Sequence, residues 1–290
     1  MIGLEFSPIT TTLGDLRATR TSTNPDFSAL IVRWFHSLDL RAGDVIAIGC
    51  SGSFPALILT AICAAEAMEL KPIIIVSLGA SSYGANRPHF TYLDIEQYLF
   101  QRGLIHHRSE AATLGGTEDI ASDLRDEARQ QLLQAIQRNN VYLIHEADPK
   151  MNITLRAKIY RRYGTPKVFL TIGGAQINIG DYGDEKRLSS GLNLSYTVSS
   201  GNSRSMVDFF SSQKIPIIHL LHIEQIALQN RLDIDPIPLP EAGKSPVYFD
   251  VTISPMILSI CILLCILSFF WLFVVKKYVT ITFKKVSDRH

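Results

Sequence analysis

The chain has 290 residues, and its 28 basic side chains are balanced by 27 acidic ones. The resulting net charge of +1 argues against a nucleic-acid footprint, so no nucleic-acid partner is expected. Hydrophobic residues make up 47% and charged residues 19%, which is enough apolar material for one sizeable α/β core plus a separate membrane-seeking segment.

In chain order, the opening MIGLEFSPITTTLG has neither the basic n-region nor the apolar h-region of an export signal. Residues 10–24, TTTLGDLRATRTSTN, are dense in hydroxyls and carry Arg17 and Arg20. Guanidinium forks bind carboxylates in a bidentate manner; the alternative is a solvated loop supplying helix caps. Asn24-Pro25 is an N-cap followed by a proline at the first helical position. It opens a helix over 26–38 in which Phe27, Leu30, Ile31, Trp34 and Leu38 recur at helical spacing.

Five apolar runs then read as strands: VIAI (45–48), PIIIVSL (72–78), VYLIH (141–145), KVFLTI (167–172) and PIIHLL (216–221). They are continuous rather than alternating, as strands buried on both faces are, and helices between them supply parallel crossovers. Helices are predicted over 118–138, with Ile120, Leu124, Leu132 and Ile136 facing inward, and over 153–163, ended by Gly164 and Pro166. The expected fold is α/β: a doubly wound, mainly parallel sheet with helices on both faces, plus a C-terminal transmembrane helix.

The loops that follow three of these strands are rich in small residues. They hold Gly49, Ser51, Gly52 and Ser53 in the first, Gly79, Ser81 and Asn86 with the adjoining Arg87 in the second, and Gly173 and Gly174 in the third. Small side chains expose backbone N–H groups, and a helix N-terminus carries roughly half a positive charge, so each loop suits a carboxylate or phosphate. Gly49-x-Ser51 between a strand and a helix also resembles a nucleophile elbow, although Ser53 replaces the final glycine. His219 and His222, at the end of the last strand, are candidate bases for it, with Asp148 or Asp208 behind them. His145-Glu146 forms a second polar pair at a strand end. GCSGSF matches neither a dinucleotide fingerprint nor a Walker A loop, so no cofactor is expected. Cys50 and Cys63 lack partners at ligand spacing, and Cys261 and Cys265 sit inside an apolar helix, so no metal is expected.

Residues 233–249, DIDPIPLPEAGKSPVYF, read as a proline-rich spacer. From 253 to 275 the chain carries no charge, and about 23 helical residues at ~1.5 Å each cross a bilayer core of roughly 30 Å. Lys276, Lys277, Lys284, Lys285 and Arg289 follow, whereas only Lys244 closely precedes. The positive-inside bias therefore puts the tail in the cytoplasm and the globular part outside. The expected domains are an α/β domain (1–232), a spacer (233–252), a transmembrane helix (253–275) and a basic cytoplasmic tail (276–290). An external domain without a visible export signal leaves two readings: a start downstream of a first membrane segment, or a tail-anchored cytoplasmic protein.

The blocks SPITTTLGDLRATRTSTNPDF, GDVIAIGCSGSFPAL, SLGASSYGANRPHFTYLDIE and IPIIHLLHIE together resemble the poly-γ-glutamate system protein family, membrane components of bacterial capsule production. The resemblance implies a role in poly-γ-glutamate synthesis or export at the inner membrane, with the polymer or an anionic precursor and other synthase components as partners. Members of that family usually carry an N-terminal membrane segment before the SPITTT block, a pattern from which this chain departs, and the resemblance brings no catalytic residues. Three readings follow. The first is a binding or accessory protein whose loops present donors to glutamate carboxylates while Arg20 or Arg87 clamps one. The second is a hydrolase or transferase with Ser51 as nucleophile, His219 or His222 as base and the Ser53 amide in an oxyanion hole. The third is a non-catalytic scaffold.

Overall fold

The computed structural model describes residues 2–180, 188–195, 205–249 and 254–287. The chain divides into two compact units, Met1–Tyr248 and Phe249–His290. The first unit begins β1 (Thr10–Thr12), α1 (Leu16–Thr21), α2 (Asp26–Ser37), β2 (Val45–Ser51), α3 (Pro55–Ala67) and β3 (Lys71–Ser77). Short strands β4 (Ala80–Ser81), β5 (Asn86–Arg87) and β6 (Phe90–Thr91) lead to α4 (Tyr92–Gln101), β7 (Ser109–Thr113) and α5 (Asp126–Arg138). It continues through β8 (Tyr142–Leu143), α6 (Pro149–Tyr160), β9 (Phe169–Ile172) and α7 (Gln176–Ile179) to β10 (Gly191–Asn193), α8 (Met206–Ser211), β11 (Ile217–Leu220) and α9 (Ile223–Gln229).

Seven strands form one sheet in the order β10-β11-β9-β2-β3-β7-β8. All neighbours are parallel except β10, which runs antiparallel to β11 at the edge. All seven positions of β2 are buried, which is why its sequence is an unbroken apolar run rather than an alternating one. Its side chains still divide by parity. Ile46, Ile48 and Cys50 enter one core with Phe27, Leu57, Leu93 and Leu132 from α2, α3, α4 and α5. Val45 and Ala47 enter a second core with Tyr160 and Phe210 from α6 and α8. There Phe169 of β9 stacks on Phe210 with ring centroids 4.7 Å apart. Each fully buried aliphatic or aromatic side chain contributes about 1.5–3 kcal/mol relative to exposure.

Several expectations about this unit need correction. The helix predicted over 153–163 spans Pro149–Tyr160, because Asp148 caps it by accepting from Met151 N–H at 2.9 Å, and the helix from Asp26 has Pro25 and not Asn24 at its N-cap. The helix predicted from 118 begins at Asp126, because Glu118, Asp119 and Ala121 adopt positive φ (56°, 61° and 54°). That conformation turns Asp119 into the interior, where it is 4% exposed. The strand β7, SEAAT, was not expected, since its small residues carry too little hydropathy to register as an apolar run. The compact unit also extends to Tyr248, past the expected boundary at 232. The proline-rich stretch adheres to it. Leu232 and Val247 are 5% exposed, Asp235 N–H donates to Thr21 Oγ1 at 3.0 Å, and Asn24 Nδ2 donates to the Asp233 carbonyl at 3.2 Å. Residues 250–252 of the expected spacer lie outside the described residues.

The second unit contains α10 (Pro255–Ser287). Its Pro255–Lys276 portion, 22 residues, is long and apolar enough to cross a membrane, and its side chains are not buried within the protein.

Candidate functional site

β2 is the topological switch point of the sheet. The chain leaves β2 for β3 on one side, continues outward to β7 and β8, then returns to place β9 on the other side of β2. In open parallel sheets the crevice outside the carboxyl ends of the strands at such a point is where ligands bind, because the diverging connections leave a gap. Here that gap is a cleft of about 540 Å³.

The three glycine-rich loops converge on it. In the first, Gly52 N–H donates to the Ser77 carbonyl at 3.0 Å, and Ser53 N–H donates to Ser51 Oγ at 3.4 Å. The loop runs straight into α3, whose N-cap is Phe54. Phe54 makes no side-chain cap bond and Pro55 occupies the first turn, so the remaining first-turn N–H groups have no intrahelical acceptor. The second loop is stitched to the first where Ser81 N–H donates to Ser53 Oγ at 3.0 Å. The third enters through Gly173, held at φ +81° with its N–H on the Leu220 carbonyl at 2.9 Å.

Ser51, Ser53, Gly79, Ser81, Gly174 and His222 all line the cleft. Gly49, Gly52 and Gly173 support it from beneath, where added side chains would collide with Asn178, the Leu78 carbonyl and Ser51 respectively. Other candidates lie elsewhere. Asn86 is fully buried and ties down the N-terminal segment through Leu4 N–H and C=O (both 2.8 Å) and Thr10 Oγ1 (3.0 Å). Arg87 is exposed in the β5–β6 hairpin and does not line the cleft. Arg20 pairs with Asp235 at 2.7 Å. The carboxylate clamp expected from Arg20 or Arg87 is therefore absent from the described lining. His145 and Glu146 sit in the loop between β8 and α6, away from the lining.

His219 is fully buried on β11, its ring centroid 6.4 Å from that of His222. Among the described residues, the hydrogen-bond partner of Ser51 Oγ is Ser53 N–H and not a histidine. A serine nucleophile needs a base within hydrogen-bond reach, though such bonds are often loose without substrate.

Several cleft residues were not anticipated. Thr11, Thr12 and Asp15 arrive because β1 pairs with β4, laying the N-terminal segment along the second loop. Ser77 and Thr117 come from the β3 and β7 ends. Beneath them lies a buried polar cluster with no sequence signature. Arg156 Nη2 meets Asp119 Oδ2 at 2.6 Å and reaches Ser77 Oγ at 3.2 Å and Thr113 Oγ1 at 3.3 Å. Ser77 and Thr113 each donate to Asp119 Oδ1 at 2.7 Å, and Asn152 bridges both ions (Arg156 Nε to Asn152 Oδ1 2.9 Å, Asn152 Nδ2 to Asp119 Oδ2 3.1 Å). Burial disfavours the Arg156 charge, but the Asp119 carboxylate outweighs it and raises the guanidinium pKa above its ordinary value. The cluster fixes the height of the Ser77 hydroxyl and of the 116–121 wall.

Among the described residues no group of three or more His, Cys, Asp or Glu side chains is placed to hold a metal ion. No protein-family model matches the chain, and neither does any curated protein or solved structure.

Proposed function

We propose that this is a membrane-anchored accessory protein of poly-γ-glutamate production or export, binding the polymer or a carboxylate-bearing precursor in the cleft over β2. The observation that carries this reading is the convergence of three glycine- and serine-rich loops and the uncapped α3 N-terminus on one crevice. Backbone N–H groups and hydroxyls held in place before binding favour an anion without a large basic field. The resemblance of the sequence blocks to the poly-γ-glutamate system family is what favours glutamate carboxylates as the anion. The doubly wound arrangement of the sheet supplies the crevice. The Pro255–Lys276 helix, long and apolar enough to cross a membrane, is consistent with an anchor, and the family resemblance favours the bacterial inner membrane. The lysines that follow it, taken with the positive-inside bias, favour a cytoplasmic tail and an external domain that would meet other membrane components of the synthase.

The test is to titrate the full chain in detergent micelles with γ-linked glutamate oligomers, following heat of binding and chain length together. Saturable binding with unchanged chain length is the expected result; no binding overturns it. A second reading, a serine hydrolase or transferase acting on the γ-amide, draws on the presence of Ser51 and His222 in the same cleft. Shortened oligomers in the same titration would establish it.

A further inference from the structure

The described lining of the cleft contains hydroxyls, glycines and His222, no Lys or Arg, and one carboxylate, that of Asp15. An acid in an anion-binding crevice is a cost unless the ligand brings a cation to it. The neighbouring cations do not offset it: Arg17 turns to Glu224 at 3.5 Å and Arg20 to Asp235 at 2.7 Å.

Asp15 is also held in place. Asp15 is an exposed residue of the lining; its Oδ1 accepts from Ala18 N–H at 2.7 Å as the N-cap of α1, which leaves Oδ2 open to solvent and to a ligand. The preceding Gly14 lies so close to the second loop that a Cβ there would stand 2.5 Å from the Ser82 carbonyl oxygen and 2.8 Å from Ser81 Oγ. The backbone that leads into Asp15 is thus packed against the loop that holds Ser81. On the first loop, Ser51 is 5% exposed, lines the cleft, and its O–H has no acceptor among the described residues. The Tyr83 phenol is pushed above its ordinary pKa by burial and then by the carboxylates of Glu5 and Asp15.

We infer that the cleft selects an α-amino-acid head group, with the carboxylate on the Ser51–Ser53 loop and α3 N-terminus and the ammonium on Asp15; this rests on the anion-binding reading above. In a γ-linked glutamate chain every interior residue has its nitrogen locked in an amide and presents only a carboxylate. The amino-terminal residue alone keeps ammonium and carboxylate on one carbon. The protein therefore binds the amino-terminal end of such a chain, or a free amino acid with the same head group, rather than the polymer's interior.

The experiment uses the full chain in detergent micelles and calorimetric titration with a γ-linked glutamate trimer, its N-acetylated form, and free glutamate. A charge-assisted hydrogen bond to Asp15 predicts that the free-amine trimer binds about tenfold or more tightly than the acetylated one. Asp15→Asn should remove that preference while keeping the α1 cap, since asparagine caps a helix as well as aspartate does; a thermal melt confirms that the variant is folded. Equal affinity of wild type for the free and acetylated trimers overturns this inference and leaves carboxylate binding intact. Preference persisting in folded Asp15→Asn overturns it as well, and Asp15→Ala repeats the comparison if Asp15→Asn fails to fold. No binding of any of the three ligands overturns the underlying reading itself. Free glutamate binding as tightly as the trimer supports recognition of the head group alone, and weaker binding supports the chain end.

Discussion

Gly173, at φ +81°, lies directly against Ser51, so that a Cβ on Gly173 would collide with the serine hydroxyl and stand 3.4 Å from its Cβ. The β9 loop and the β2 loop can close on one another only because the third loop carries no side chain at that point. Gly173→Ala meets two penalties, the left-handed backbone, about 1–2 kcal/mol, and displacement of Ser51. We expect a modest fall in melting temperature and a loss of oligomer affinity of about tenfold or more, measured by calorimetry. Unchanged affinity would dissociate Ser51 from the site.

Ser51→Ala separates binding from catalysis. Removing one hydrogen bond to the ligand carboxylate costs about 1.5–3 kcal/mol, a weakening of roughly ten- to a hundredfold, with chain length of the oligomer unaffected. If the serine is instead a nucleophile, the variant retains affinity and abolishes cleavage. Chromatography of oligomers after incubation with each protein decides the matter.

Arg156→Met should leave Asp119 buried without its counter-ion. Breaking a buried pair from one side costs about 3–5 kcal/mol, to be read from urea denaturation. Because Asp119 Oδ1 also accepts from Ser77, a lining residue, ligand affinity should fall even where the variant is folded. A destabilisation under about 1 kcal/mol would mean that the pair is solvated.

Acid lability should include a contribution from Asp94. Burial raises its pKa, but hydrogen bonds from Arg138, Asn139 and Thr91 outweigh burial and hold it below the ordinary 3.8. The folded state therefore releases this proton more readily than the unfolded one. The stabilisation is complete above the unfolded value and is lost as pH falls through the lower folded value. Denaturant midpoints measured at pH 5 and pH 3 should drop less for Asp94→Asn than for wild type; parallel drops would remove Asp94 from the account.

Membrane attachment should depend on the Pro255–Lys276 portion of α10. Placing a charge at its centre, Leu264→Arg, costs about 2.5–3.5 kcal/mol of insertion. The variant should shift from the carbonate-resistant membrane fraction toward the soluble one. Wild type extracted by carbonate alone would remove the anchor from the proposal.

The strand runs at 45–48 and 72–78 were legible because burial on both faces demands continuous apolar sequence, and that demand applies to the central strand β2 and its neighbour β3. The loops were legible because glycine in a strand-to-helix turn is a local requirement, as at Gly173. The apolar helix was legible because length and composition suffice for it. Which charges face the cleft was not legible. Arg20 and Asp15 are a few residues apart, yet Arg20 turns to Asp235 while Asp15 lines the crevice. The left-handed turns at 118–121 and the Arg156–Asp119 pair were hidden for the same reason. Local patterns report what a residue does to its own stretch of backbone. The partner of a charge is set by the distance between elements far apart in sequence, and that distance exists only once the sheet has assembled.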